Sequence, residues 1–301
     1  MKTPRISRRT AVSGAGAAVV TMAAAQLQER LAAEDKAASL KGRVQHSVCK
    51  WCYKDISLEN LCLAAKEIGL TSIDLMSPGD FPTLKQHGLH CAMVAAPSGD
   101  WNGKKVGGIP LAFNRMEHHD VLVQIYEPLL KASAEAGFNQ VICFSGNRAG
   151  LDDEQGLGNC AAGLQRLMGL CEKLGVTLVM ELLNSKVNHK DYQCDHTAWG
   201  VELCKRVGSE RFKLLYDIYH MQIMEGDVIA TIQQSHPYIS HYHTGGVPGR
   251  HEIDESQELY YPAIIKAIVA TGYQGYVAQE FIPARPDALG SLRQAVGICD
   301  V

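Results

Sequence analysis

Short apolar or β-branched runs alternate with longer amphipathic stretches from Lys41 to the end of the chain, and the alternation occurs eight times. The short runs predict buried strands, whereas apolar residues that recur every three or four positions predict helices that bury one face. The predicted strands begin near His46, Ser72, His90, Gln140, Thr177, Lys213, Ile239 and Tyr276. The predicted helices with the clearest patterns are residues 58–68, 121–136, 161–174, 198–207 and 262–270.

A glycine stands just before several predicted strands, where the C-cap of the preceding helix belongs. These glycines are Gly69, Gly88, Gly137, Gly175 and Gly272. Eight strand-then-helix units without a Pro/Gly/Ser-rich linker predict one domain over residues 41–301, a (β/α)8 TIM barrel of the α/β class. A doubly wound open sheet is the alternative, but no predicted strand is followed by a Gly-x-Gly-x-x-Gly turn.

The first 33 residues have the pattern of a targeting segment and its linker. Residues 7–10 read Ser-Arg-Arg-Thr and precede an Ala/Gly-rich run over residues 11–25 that ends in three alanines. A basic start, a short apolar run and small residues at a cleavage site are typical of a signal peptide, and the paired arginines indicate the twin-arginine type. We therefore expect export to the periplasm; the alternative is a basic tail on a cytosolic protein.

Composition and charge limit the classes of partner. The chain has 301 residues, 46% of them hydrophobic and 20% charged, and a mean hydropathy of −0.08, which indicates a globular protein without membrane spans. Without the first 25 residues, 25 basic side chains face 32 acidic ones, a balance of −7. This charge excludes a basic nucleic-acid binder and favours small-molecule partners. A homo-oligomer is compatible with the sequence, but no segment indicates one.

Ten cysteines are scattered over a chain long enough to build its own core. We interpret most of them as small buried apolar residues rather than as disulfide partners. Cys49 and Cys52 have redox or zinc spacing, but they lie in a predicted strand and lack further ligands. An extended backbone would direct their side chains to opposite faces of the sheet.

Four consecutive predicted strands end in ionisable side chains. These are Glu181, Asp217, His243 and Glu280. Taken singly, each has an ordinary explanation: a rim salt bridge, a helix N-cap, a core histidine or a solvated edge charge. Together they converge on the carboxyl-terminal mouth of the barrel, where active sites of this fold lie. Three carboxylates and one imidazole suit a divalent cation, Mn²⁺ or Mg²⁺, with Co²⁺ or Fe²⁺ as further candidates.

Several stretches resemble the hydroxypyruvate isomerase family, a branch of the xylose isomerase-like TIM barrels that also contains ketose 3-epimerases. The stretches are residues 99–101 (Gly-Asp-Trp), 216–222 (Tyr-Asp-Ile-Tyr-His-Met-Gln), 246–252 (Gly-Val-Pro-Gly-Arg-His-Glu), 258–262 (Glu-Leu-Tyr-Tyr-Pro) and 272–276 with Glu280. The resemblance implies a divalent metal held by the four strand-end residues. It also implies that Glu181 and Glu280 move protons.

The expected chemistry is an aldose–ketose type isomerisation. A metal-chelated keto-hydroxy unit has an acidified C–H, so one glutamate can remove the proton and the other can return one to the adjacent carbon through an enediolate. For hydroxypyruvate the product is tartronate semialdehyde. Arg250 is expected to bind a substrate carboxylate, His220 a substrate oxygen, and Trp101 to act as part of a lid.

Three departures leave the substrate open. His243 stands where this family often has glutamine, and a histidine at this position is the residue found in the epimerases. Val187, however, stands where the epimerases have a second glutamate. Lys50 and Trp51 do not match the pattern expected at the end of the first strand. The rivals are a ketose 3-epimerase, a non-catalytic sugar-binding barrel, and a metal-dependent nuclease or hydrolase, which would need more histidines and a basic groove.

Overall fold

The computed structural model describes residues 40–301 of the protein. Its strands are β1 (Gln45–Cys49), β2 (Ser72–Asp74), β3 (Gly99–Trp101), β4 (Lys104–Val106), β5 (Gln140–Cys143), β6 (Thr177–Glu181), β7 (Phe212–Asp217), β8 (Ile239–Thr244) and β9 (Tyr276–Gln279). Its helices are α1 (Leu58–Ile68), α2 (Phe81–Gln86), α3 (His119–Ala136), α4 (Asp153–Leu174), α5 (Thr197–Val207), α6 (Ile218–Met224), α7 (Val228–Ser235), α8 (Tyr261–Ala270) and α9 (Ala288–Cys299). The predicted export segment, residues 1–33, lies outside the described residues.

Seven strands form one curled parallel sheet in the order β2-β1-β9-β8-β7-β6-β5. The pairing of β9 with β1 joins the last strand of the barrel to the first, as a (β/α)8 barrel requires. We use the word stave for each of the eight positions in the barrel wall. Apolar residues of the strands and of the facing helices form one continuous hydrophobic core. The fold class predicted from the sequence is therefore confirmed.

The predicted strand near His90 is not a regular strand. Residues 90–94 contact both edges of the sheet only through isolated parallel bridges, from His90 to Ser72 and from Val94 to Met76 and Val141. The hydroxyl of Ser72 accepts the backbone N–H of Ala92 at 2.8 Å, so a side chain takes a bond that a ladder would use. This irregular stave closes the barrel between β2 and β5.

Helix boundaries follow local chemistry at both ends. Asp152 caps α4 by accepting the N–H of Gln155 at 2.7 Å, and Asp217 caps α6 in the same way through His220. Gly69, Gly137 and Gly175 occupy the predicted C-cap positions in the left-handed region. Gly88 and Gly272 also have positive φ, one residue beyond the C-cap of their helices.

The ten cysteines are all free and buried, which confirms their interpretation as apolar packing residues. The backbone of the Cys49/Cys52 pair was predicted wrongly, because residues 50–53 form a 3₁₀ turn rather than the end of a strand. Burial raises the pKa of both thiols, so neither is a thiolate near neutral pH. Among the described helices, none combines the length and the hydropathy that a membrane span needs.

Candidate metal centre

The four predicted ligands lie at the carboxyl ends of four neighbouring strands. Glu181 ends β6, Asp217 ends β7, His243 lies in β8 directly opposite Asp217, and Glu280 follows β9. One ligand atom of each lies within 4.8 Å of the others, and all four side chains are buried. We call these four residues the ligand cluster. The parallel register brings together residues that are about a hundred positions apart in the sequence.

Contacts inside the ligand cluster are close. His243 Nδ1 lies 2.6 Å from Glu280 Oε2 and 3.6 Å from Glu181 Oε1, so both carboxylates flank the same ring nitrogen. Burial raises the pKa of Glu181 and Asp217, because a charge loses solvation there. Glu280 is equally buried, but Arg250 and His243 hold its pKa well below the usual value.

The charge balance of the ligand cluster fits a bound cation. The cluster contains three buried carboxylates, and the permanently charged side chain that pairs with them is Arg250, which contacts Asp217 and Glu280. Unpaired buried carboxylates are costly, and a divalent cation would offset the remaining negative charge. The donor set of three carboxylates and one imidazole matches the ligands that hard and borderline divalent cations take in proteins.

Arg250 enters the ligand cluster itself. Its guanidinium donates from Nη2 to Asp217 Oδ2 at 2.8 Å and also to Glu280 Oε2. The loop that carries it is tight: Gly246 donates to His251 O at 2.9 Å, and a Cβ on Gly246 would lie 2.2 Å from Glu252 O. Arg250 has a φ of 60°, so this loop directs the guanidinium inward from a left-handed backbone.

Both ring nitrogens of His220 lie next to hydrogen-bond donors. Nδ1 lies 3.2 Å from the backbone N–H of Asn184, and Nε2 lies 3.0 Å from Arg250 Nη1. A neutral imidazole can accept at only one nitrogen, and burial lowers the pKa of His220 and keeps the ring neutral. The backbone N–H of Asn184 can only donate, so Nδ1 is the accepting nitrogen, and the contact between Nε2 and Arg250 Nη1 is the one that cannot be a hydrogen bond in this tautomer.

Trp51 is a site residue that the sequence flagged only as a departure from a family pattern. Its indole Nε1 donates to Glu280 Oε1 at 2.7 Å, and its ring lies 5.3 Å from the Arg250 guanidinium carbon. Its neighbour Lys50 instead donates to Tyr53 O at 3.2 Å and does not line the cavity at the ligand cluster.

A second buried layer lies beneath His243. Asp74 of β2 accepts hydrogen bonds from His241 Nε2 at 2.6 Å and from the hydroxyl of Ser47 at 2.5 Å. The same carboxylate lies 3.6 Å from His243 Nε2, the ring nitrogen that faces away from Glu280. A carboxylate behind a ligand histidine orients its ring and selects its tautomer.

A cavity of about 480 Å³ opens onto the ligand cluster. Glu181, Glu280 and Arg250 line it, together with Trp51 and His189. The rest of its lining consists of Leu75, Ala95, Ala96, Pro97, Ser98, Gly108, Ile109, Ile142, Phe144 and Leu183. Trp101, the expected lid residue, is not among the lining residues; its half-buried ring packs edge-on against His118 at 4.9 Å.

Fold and site together define a TIM barrel with a candidate metal centre at its mouth. The family model described as xylose isomerase-like TIM barrel matches residues 64–296, and the chain belongs to this family. The chain is 26% identical to the hydroxypyruvate isomerase of Escherichia coli strain K12 over 73% of its length and 85% of the relative's length. This similarity confirms the resemblance expected from the sequence.

Two further proteins are similar to the chain. A 2-oxo-tetronate isomerase of Cupriavidus necator is 34% identical over 38% of the chain, and the match spans less than half, 44%, of that isomerase's length. A solved structure of a family 2 AP endonuclease from Brucella melitensis has a TM-score of 0.71 and 25% identity, covering 83% of the chain and 96% of that structure.

Proposed function

We propose that the protein is a divalent-metal-dependent isomerase of a small hydroxy-keto acid or sugar, most like the conversion of hydroxypyruvate to tartronate semialdehyde. The observation that carries this proposal is the convergence of four buried ligands on one cavity that two of them, Glu181 and Glu280, also line. The names of the hydroxypyruvate and 2-oxo-tetronate isomerases support the reaction class.

The ligand cluster would hold the cation, with Mn²⁺ or Mg²⁺ as the first candidates. When bound, the cation supplies Lewis acidity that polarises a substrate carbonyl and acidifies the neighbouring C–H. Glu181 and Glu280 flank the same imidazole and line the cavity, so both carboxylates can reach one substrate. We assign them the removal and the return of the proton.

His220 and Arg250 would position the substrate. Since His220 Nδ1 accepts a hydrogen bond from the backbone N–H of Asn184, its Nε2 carries the ring proton. This Nε2–H can donate to a substrate oxygen when the Arg250 side chain moves away from it. Arg250 lines the cavity and can then form a bidentate contact with a substrate carboxylate or with vicinal oxygens. Among the lining residues it is the only one with a permanent positive charge, which disfavours a nucleic-acid substrate.

The decisive experiment compares substrates in heavy water. The full chain, loaded with Mn²⁺, is incubated in D₂O with hydroxypyruvate, D-fructose or D-tagatose, and carbon-bound deuterium is measured by NMR. Isomerisation of hydroxypyruvate with deuterium incorporation supports the proposal. Turnover of the ketohexoses alone would make the protein a 3-epimerase, and calorimetric binding without any deuterium incorporation would make it a binding protein.

We also propose export by the twin-arginine route, on the basis of the Ser-Arg-Arg-Thr motif at residues 7–10. Cell fractionation of the full chain tests this proposal, with the double substitution Arg8→Lys and Arg9→Lys as the export-defective variant. Periplasmic wild-type protein and a cytoplasmic variant are expected. Equal distribution of the two chains would contradict the proposal.

A further inference from the structure

The cavity at the ligand cluster has two chemically different halves. Its polar lining comes from the ends of β1, β6 and β9 and from the loop after β8, where Trp51, Glu181, Glu280 and Arg250 lie. Most of its apolar lining comes from the other part of the barrel mouth: after β2, just beyond the irregular stave, in the loop after β4, and in and just after β5. These residues are Leu75, Ala95, Ala96, Pro97, Ile109, Ile142 and Phe144.

The cavity is larger than a three-carbon acid requires. Its volume of about 480 Å³ falls in the range of pockets that bury a drug-sized molecule. A three-carbon acid chelated at the ligand cluster would leave the apolar half without an occupant. Apart from the hydroxyl of Ser98, the side chains of this half offer no hydrogen-bond partner, so a longer polar chain that reached it would lose most of its hydrogen bonds to water.

An apolar or ring-shaped group suits this half better. Sugar rings present C–H faces, and aromatic groups present flat apolar surfaces, and either surface would find apolar contacts at Phe144, Ile142 and the alanines. Trp51 is 44% exposed at the end of the first stave, between the polar half and solvent, and its ring provides a second flat surface. The cavity therefore matches a molecule with a chelating end and an apolar end.

We infer that the natural substrate is a keto sugar in glycosidic linkage, whose keto-hydroxy unit binds at the ligand cluster while its aglycone or second ring packs on the apolar half. This inference rests on the proposed function. The bond change is the same: the C–H bond next to the carbonyl breaks, and a carboxylate returns a proton to one of the two carbons. No oxidant or reductant is consumed, because the carbonyl and hydroxyl groups exchange positions in an isomerisation, and only the hydroxyl-bearing carbon changes configuration in an epimerisation.

The first test is binding to the Mn²⁺-loaded full chain by calorimetry. The probes are phenyl and methyl 3-keto-glucoside and hydroxypyruvate. Burial of the larger aglycone predicts that the phenyl glycoside binds roughly tenfold or more tightly than the methyl glycoside. Equal affinity of the two glycosides would overturn the inference.

The second test fills the cavity. Ala96→Phe places a ring in the apolar half and should weaken binding of the phenyl glycoside at least about tenfold while hydroxypyruvate binding is retained. Ala132→Phe is the control, since Ala132 is also half-buried but lies in α3 and does not line the cavity. Ser98→Trp, at an exposed lining position, replaces Ala96→Phe if the latter does not fold.

Deuterium incorporation separates this inference from the proposed function. If the phenyl glycoside binds tightly but no ligand gains carbon-bound deuterium, the proposed isomerase activity is refuted, whereas the inference about the class of ligand stands. The opposite result is equal deuterium incorporation into hydroxypyruvate by the wild type and by Ala96→Phe, together with equal binding of the two glycosides. It would keep the proposed isomerase function and overturn the inference that the substrate is a glycoside.

Discussion

Trp51 and Glu280 are joined by a hydrogen bond of 2.7 Å from the indole Nε1 to Oε1 of the carboxylate. The other oxygen of Glu280 faces His243 Nδ1 at 2.6 Å. One oxygen is thus held from outside the ligand cluster while the other points into it. Trp51 is a positioning residue, because it acts on the proposed metal and substrate through Glu280.

Trp51→Phe should weaken manganese binding about tenfold, since outer contacts of this kind typically support ligand affinity by that factor or more. The ring remains, so the packing against Arg250 is largely kept. Titration with Mn²⁺ measures the change. Trp199→Phe is the control, because it also removes an indole hydrogen bond, from Nε1 to Asp153 O at 3.3 Å. Unchanged manganese affinity in Trp51→Phe would refute the positioning role.

Glu181→Gln should lower deuterium exchange into substrate by two to four orders of magnitude, the usual contribution of a positioned acid or base (~10²–10⁴). Because burial raises the pKa of Glu181, a neutral amide of the same shape should fold normally. Circular dichroism and metal content accompany the exchange measurement. Full exchange in a metal-loaded variant would show that Glu181 does not carry the proton.

Removal of the metal should lower the melting temperature. A cation bound a hundredfold above its dissociation constant stabilises the native state by about 2.7 kcal/mol, which corresponds to roughly 5 to 10 °C for a chain of this size. Calorimetric melts with EDTA and with Mn²⁺ measure the difference. Asp217→Asn provides the comparison, because loss of a ligand should abolish the response to the metal. Identical melting curves of the wild type in EDTA and Mn²⁺ would count against the metal centre.

Asp74→Asn should weaken both the fold and the metal centre. The carboxylate is buried beneath His241 and His243, which hold its pKa below the usual value against the cost of burial. Loss of a buried charged partner costs about 3 to 5 kcal/mol, and loss of the carboxylate behind His243 should reduce manganese affinity about 10- to 100-fold. Denaturant unfolding and manganese titration measure the two effects. Ser47→Ala, which removes only one neutral donor, should cause a smaller loss of each.

We expect Asp195 to make the free energy of unfolding depend on pH in the acidic range. Burial would raise its pKa, but hydrogen bonds from Arg148, Ser185 and His196 lower it below the value in the unfolded chain. The folded state therefore binds fewer protons, so this stabilisation is present above about pH 4 and is lost as the pH falls through the folded pKa. Denaturant unfolding between neutral and acidic pH should show a weaker pH dependence in Asp195→Asn. Parallel pH profiles of the two chains would contradict the assignment.

The regular parts of the fold and the ligand cluster could be predicted from the sequence. Short apolar runs mark all eight strands of the barrel, and an ionisable residue at the end of an apolar strand marks each ligand, because both signals are local. The sequence did not reveal that residues 90–94 form only isolated bridges, since their pattern is that of a regular strand and the bond that disrupts the ladder comes from Ser72.

The remaining site residues depend on tertiary structure. Arg250 was expected to bind a substrate carboxylate, but its insertion between Asp217 and Glu280 follows from a loop whose conformation no local pattern reveals. Asp74 lies in a short apolar strand like the ligands, yet its role depends on β8 being across the barrel from β2. Trp51 stood out in the sequence without an assigned function, because its partner Glu280 is more than two hundred positions away.

The irregular stave also bears on how this barrel could acquire other specificities. Its connection to the sheet rests on a few backbone bonds, and the residues that follow it, Ala95–Pro97, form part of the cavity wall. Side chains there can change in size without altering the hydrogen-bonded ladders that hold the ligands on the other staves. Selection for a different substrate can therefore change these wall residues while the ligand cluster at the opposite side of the mouth is kept.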